Sequence, residues 1–195
     1  MPYTPRYPLL LARYLRYAET SDVSEEQQQM LDECLAAIIE HCNNWCGQSL
    51  VAKEELHTLD GAEKEYKLSF NRVPVEFVEQ SSQEDSFAAP TLVIGQQHAL
   101  DRIPGILFLS FSGTIAGKRI VKLRVGFTEA TLPEDVKEFF VEALAIAFKE
   151  SGKGENRLGQ QNVTQTFQGG NLTRVFTSLD RRKKTVLGQY KLPTL

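Results

Sequence analysis

His41, Cys42 and Cys46 fall within one short stretch, and an imidazole with two thiols is a donor set that can hold zinc. Structural zinc sites draw thiols in pairs from separate turns, and here a second pair is missing. Three donors at i, i+1 and i+5 of a single helix are therefore expected to be part of its core face. "GTIAGKR", Gly113 to Arg119, resembles a phosphate-binding loop only in outline. That motif needs four residues between its glycines and a Ser or Thr after the lysine to hold magnesium. Here three residues intervene and Arg119 follows, so a hairpin turn accounts for both glycines. His57 and His98 are expected in loops with no nucleophile at a matching distance, and G-x-S-x-G is absent. The "NVT" and "NLT" triplets at Asn162 and Asn171 carry meaning only in a secreted protein. No catalytic constellation, cofactor site or metal site is read from the chain.

The remaining chemistry is electrostatic. Arg181, Arg182, Lys183 and Lys184 follow Asp180 directly, with Arg174 and Lys191 nearby. Two readings fit such a run: a solvated helix face, or a docking patch for an acidic protein or nucleic acid. Four consecutive basic residues spread around a helix and cannot all face one side. Leu179, Val186, Leu187 and Tyr190 lie at i, i+7, i+8 and i+11, one narrow stripe suited to a groove. So thin a stripe buries little within its own domain, which favours docking.

That basic segment is half of a wider asymmetry. Residues 1–100 hold 7 Lys/Arg against 16 Asp/Glu, a balance of −9; residues 101–195 hold 15 against 9, or +6, which sums to the net −3. Oppositely charged regions suit head-to-tail contact between copies or with a larger partner. The 42% hydrophobic and 24% charged residues are ordinary for a globular chain. The opening "MPYTPRYPLLLARYLRY" has too short an apolar run for a secretion signal, and no stretch approaches the ~20 apolar residues a membrane helix needs. Cys34, Cys42 and Cys46, odd in number, read as reduced core thiols of an intracellular protein.

The periodicity predicts the elements that carry these residues. A short helix spans about Pro8 to Tyr17. Ser24 and Gln27 form a capping box for a second helix to about Trp45, repeating Leu31, Cys34, Leu35, Ile38, Ile39, Cys42 and Trp45, with Gly47 as its stop. From about Val51 the period becomes two. "EYKLSF", "VPVEFVE" (an edge strand by its Pro74), "TLVIG", "PGILFLSF" and "RIVKLRVGF" read as short antiparallel strands, and Gly113 and Gly117 bracket a turn. "VGFTEATLPEDVKEFFVEALAIAF" then ends a strand, crosses a polar turn and launches a helix at Pro133. Val136, Phe139, Phe140, Ala143 and Ala147 form one apolar stripe and Val141, Leu144 and Phe148 a second, so this helix must be covered on more than one side. A polar, glycine-bearing loop and a last helix from about Leu172 to Gln189 follow. The fold expected is α+β: mainly a helical bundle of about four helices, with a β-rich antiparallel insertion between the second and third helices. The division expected is 1–50 for the N-terminal helices, 51–127 for the insertion, 128–150 for the core helix, 151–171 for the loop and 172–195 for the C-terminal helix and tail.

This order resembles the head–tail connector (adaptor, or head-completion) proteins of tailed phages and prophages. The likeness is carried by "VGFTEATLPEDVKEFFVEALAIAF", with "LLLARYLRY", "AAIIEHCNNWCGQSL", "YKLSFNRVPVEFVEQ", "PGILFLSF", "GENRLGQQNVTQTF" and "LGQYKL". It spans nearly the whole chain in order, although the β insertion is long for the family. The resemblance implies a structural, non-enzymatic virion protein without cofactor, assembled in the bacterial host cytoplasm and resident in the virion neck. Such a chain forms a homo-oligomeric ring, expected to be twelve-fold, under the portal protein. It extends the channel for passing genomic DNA, which it does not read, and offers a platform to a stopper or tail-completion protein; no membrane is involved. On this reading Leu179, Arg181, Arg182, Lys183, Lys184, Val186, Leu187, Tyr190 and Lys191 dock on the portal. Phe139, Phe140, Leu144 and Phe148 meet the neighbouring subunit. The alternative is a DNA-binding module using the basic C-terminal segment, against which the acidic first half speaks.

Overall fold

Pro8 supplies the fixed φ that suits the start of a helix, and α1 runs Pro8–Tyr17 as expected. Ser24 and Gln27 form the anticipated reciprocal cap. The Ser24 N–H donates to Gln27 Oε1 at 3.0 Å, and the Gln27 N–H donates to Ser24 Oγ at 3.3 Å. They open α2, Glu25–Cys46, which ends where Gly47 adopts a left-handed φ of +72°. This computed structural model describes residues 3–19, 23–103, 105–151 (the side chains of 148–151 excepted) and 179–192. The loop after α3, the segment from Leu172 to Ser178, and Asn162, Asn171, Arg174 and the Phe148 side chain lie outside the described residues.

Seven strands follow α2 and precede α3: β1 Lys53–Asp60, β2 Glu65–Ser69, β3 Val75–Gln83, β4 Thr91–Leu92, β5 His98–Ile103, β6 Ile106–Phe111 and β7 Lys118–Val125. After them come α3, Glu134–Ser151, and α4, Asp180–Leu187, with a 3-10 turn at Gly188–Tyr190. The class is α+β, with two antiparallel sheets, ordered β1-β7-β3-β4 and β2-β6-β5. The central β7 pairs Val125 with Lys53 on one side and Val75 on the other, and a bulge between Phe77 and Glu79 re-sets the β3 register.

The sheets correct four expectations. His57 lies in β1 and His98 in β5, not in loops. β1 was hard to see because its alternation is inverted: Glu55 and His57 are half-buried while Leu56 is exposed. Gly113 and Gly117 do not bracket a hairpin, because β6 and β7 belong to different sheets. Pro74 precedes a strand that is an edge only in part, since β4 covers just Ser81 and Ser82.

The chain divides into two compact units, Met1–Trp45 with Thr128–Gln189, and Cys46–Phe127 with Tyr190–Leu195. In the first, α1 and α4 each contact α3. Its core holds Leu10, Leu11 and Tyr14 from α1, Leu31, Cys34, Leu35, Ile38, Ile39 and Cys42 from α2, and Val136, Phe139, Phe140, Val141, Ala143, Leu144 and Ala147 from α3. In the second, the core holds Val121, Leu123 and Val125 of β7, Leu107, Leu109 and Phe111 of β6, Phe70 and Val73. Among the described residues no helix is long and apolar enough to cross a membrane.

Candidate assembly surfaces

The first unit is strapped together by one acidic ridge. Glu134, Glu138 and Glu142 recur every four residues along α3, so they share a face. Arg13 of α1 pairs with Glu134 and lies 3.8 Å from Glu138; Arg182 of α4 lies 3.6 Å from Glu138 and 2.9 Å from Glu142. The Arg13 guanidinium holds the Glu134 carboxyl below its usual range. These pairs are largely open to solvent, where screening leaves little net stabilisation, so they orient the helices more than they stabilise them.

Arg182 is thus engaged inside the chain, and so are most of its neighbours on α4. Lys183 is buried, with Nζ 5.3 Å from the Trp45 ring centroid and 3.5 Å from Asp180. Lys184 lies 2.6 Å from Asp180, and both lysines hold that carboxyl below its ordinary value. Leu179, Val186, Leu187 and Tyr190 are buried, Leu187 completely. This overturns the expectation that the last helix buries little: its narrow stripe is fully used. Tyr190 packs edge-to-face on Phe127 at 6.0 Å, and Gln48 Nε2 donates to its carbonyl. Asn71 Nδ2 donates to the Lys191 carbonyl at 3.0 Å, and the Leu192 N–H donates to the Cys46 carbonyl at 2.8 Å. Of the residues expected to dock, only Arg181, Arg182, Lys184 and Lys191 present exposed surface.

The residues expected between subunits are placed inward as well. Phe139, Phe140 and Leu144 have no exposed surface, and the first two rings meet edge-to-face at 6.3 Å. A residue with no surface cannot touch a neighbour while its own fold is intact. The described residues of both α3 stripes are buried. Cys34, Cys42 and Cys46 lie in the core, where burial pushes the Cys46 thiol up to about 12 and the Cys34 thiol higher still. His41 is half-buried, and burial together with the Lys183 charge lowers its pKa. No metal-holding cluster occurs among the described residues.

Two buried polar groups escaped the sequence reading. Asp32, fully buried on α2, accepts hydrogen bonds from the Tyr3 hydroxyl at 2.6 Å and from the Arg6 and Tyr7 amides at 3.0 and 3.2 Å. Burial and the Asp32 carboxylate push the Tyr3 phenol up to about 12. Arg119 falls on the inward face of β7. Its Nη1 donates to Gln80 and Gln96 at 2.7 and 2.9 Å, its Nη2 to the Gly113 carbonyl at 2.7 Å, and its plane lies 3.9 Å from the Phe111 ring centroid. Gln80 stands in the four-stranded sheet and Phe111 in the three-stranded one, so this cation clamps the two sheets together.

The surface of the second unit carries a protruding apolar turn. Phe87 is 96% exposed and Ile94 85%, with Leu92 also exposed. Gln83 Nε2 donates to the Ser86 and Ala88 carbonyls at 3.3 and 2.7 Å, and so fixes the turn that presents Phe87. At its root, Gly117 (φ +70°) lets backbones meet: a Cβ there would lie 2.3 Å from the Gln83 carbonyl oxygen. The sequence signal was a lone phenylalanine amid "SSQEDSFAAP".

No protein-family model matches the chain, and no curated protein matches it by sequence. Solved structures do share its fold. A chain in the neck of an empty gene transfer agent (GTA) particle, computed with C6 symmetry, superposes with a TM-score of 0.60 at 13% identity, over 100% of this chain and 95% of that one. A chain in the neck of the native GTA particle, computed with C12 symmetry, gives 0.55 at 12% identity over 99% and 94%. One in the virion of the native GTA particle gives 0.54 at 12% identity over the same shares. The connector resemblance read from the sequence and the fold found in particle necks agree.

Proposed function

We propose that this chain is a structural component of the neck of a phage-type particle, acting as a head–tail adaptor. The observation that carries the reading is the end-to-end likeness to chains in GTA necks, which covers 99–100% of this chain. A likeness confined to one unit would point to a shared module; this one spans both units. In this role twelve copies close a ring beneath the portal, extend the channel through which DNA passes without being read, and present a platform for the stopper or tail. The exposed cations of the C-terminal segment, Arg181 and Lys191, steer the chain to an acidic rim on the portal, while Leu179, Val186, Leu187 and Tyr190 hold that segment in place from within. Neighbouring subunits meet through surfaces other than the buried Phe139, Phe140 and Leu144. Twelve weak contacts gathered on a circular template reinforce one another, so the free chain need not form rings.

A DNA-binding module is less well supported. Phosphate binding needs uncommitted cations, and Arg182, Lys183 and Lys184 already face carboxylates of their own chain. The test is to mix the purified chain with portal-bearing heads that lack it, and to image the vertices by negative-stain microscopy. The reading expects added ring density at the portal vertex only; unchanged vertices, or salt-sensitive duplex binding by the free chain, would overturn it.

A further inference from the structure

Two exposed patches of this chain complement each other, and we infer that they meet between neighbouring copies. The first is the turn carrying Phe87, Leu92 and Ile94. Residues 73–101 around it hold five acids (Glu76, Glu79, Glu84, Asp85, Asp101) and no Lys or Arg. At its root lies a hollow of about 470 Å³ lined by Asp60, Glu84 and Asp85, with Lys118 at one side. The second patch is the outer face of α1. Leu9 and Tyr17 are 55% and 63% exposed, and Ala12 and Arg16 lie on the same side at helical spacing. Residues 1–18 hold Arg6, Arg13 and Arg16 and no acid, and Arg16 makes no salt bridge among the described residues.

Together the two patches hold five of the eight large hydrophobic residues exposed on the described chain (Leu9, Tyr17, Phe87, Leu92 and Ile94), so the surplus apolar surface is concentrated there. Each is apolar, and their charges are opposite on balance: Lys122 and Arg124 pair with Glu79 and Glu76, but Asp60, Glu84 and Asp85 outnumber Lys118 at the hollow, whereas α1 carries only arginines. A ring needs such a heterologous pair, one patch on each subunit fitting a different patch on the next. The occupant of the acidic hollow is therefore α1 of a second copy. Its Arg16 guanidinium faces Glu84 and Asp85, and its Leu9 and Tyr17 cover Phe87 and Ile94. The turn is pre-ordered by Gln83, which lowers the ordering cost of docking. This contact rests on the neck-ring reading and adds to it which surfaces touch.

The experiment uses the full chain with Tyr17→Cys and Phe87→Cys, a bismaleimide cross-linker, and portal-bearing heads. The native Cys34, Cys42 and Cys46 are buried, so the added thiols react selectively. A single added thiol can give at most a dimer. A heterologous contact in the double variant gives a ladder of trimers and larger species. We expect that ladder on the heads, its loss on Glu84→Lys with Asp85→Lys, and its return when Arg6→Glu and Arg16→Glu are added. Both cysteine positions are exposed, and unchanged circular dichroism melts will verify the fold. Dimers or monomers only, on heads that still acquire the ring, overturn this contact and leave the neck reading standing. A ladder insensitive to the charge reversals overturns the pairing of these patches. Heads that acquire no protein at all overturn both.

Discussion

Glu129 closes the N-terminus of α1 through Leu10: its Oε2 accepts the Leu10 amide at 2.9 Å and the Leu9 amide at the same distance. The residue before the helix, Tyr7, has no side-chain cap of its own, so the first-turn N–H groups depend on a carboxylate from 119 residues away. The polar turn "FTEATLP" therefore does more than join a strand to a helix. Replacing Glu129 by Ala should lower stability by about 0.5–2 kcal/mol, and by Gln less, since its carbonyl oxygen can still accept. Urea unfolding of the two variants measures this; an Ala variant as stable as the parent would refute the remote cap.

Gly126 ends β7 with a φ of +105°, and a Cβ there would come within 2.7 Å of the Val51 backbone. Strain and collision act together. Gly126→Ala should cost about 1–3 kcal/mol, read as a fall in melting temperature. A melt unchanged from the parent would show that the Val51 segment shifts freely.

The two faces of α4 should separate cleanly. Leu187→Ala removes a fully buried side chain and should destabilise the chain by about 2–5 kcal/mol. Arg181→Glu alters an exposed charge and should leave stability within about 0.5 kcal/mol while slowing capture by portal. Thermal melts and association rates at two salt concentrations test both at once. A Leu187→Ala chain that melts like the parent but loses portal binding would restore the apolar stripe as the docking element.

His41 couples stability to pH. Burial and the nearby Lys183 charge hold its folded pKa below the ordinary value, so the unfolded chain takes up this proton first as pH falls. The neutral imidazole's contribution is thus complete at high pH and is lost as pH drops through the ordinary value toward the folded one, from about pH 7 downward. His41→Gln should flatten that part of the stability profile relative to the parent. An identical slope in both chains would assign the pH dependence elsewhere.

Local signals in the sequence were reliable where the physics is local. The Ser24–Gln27 box, Pro8, Gly47 and the period of α2 act within a few residues, and each appears in the structure as read. What could not be read depends on partners distant in sequence. Glu129 and Asp32 look like solvated acids until the segment that needs them is folded against them. Arg119 breaks the apolar alternation of β7 because its acceptors come from three other segments. β1 hides because its inward positions are Glu55 and His57. The narrow stripe of α4 suggested docking on another protein, whereas Leu179, Val186, Leu187 and Tyr190 are buried within the chain itself. For the same reason the candidate surface moved from the buried stripe to the exposed cations and to Phe87 and Ile94, whose lack of neighbours only the fold makes visible.

The central claim, that this chain builds the neck of a particle, is tested most directly by a symmetry-applied reconstruction of the neck from particles carrying a tagged copy. The account expects a closed ring of copies beneath the portal vertex, fitted by this fold with the α4 cations toward the portal. Particles with complete necks from which the tagged chain is absent would contradict it.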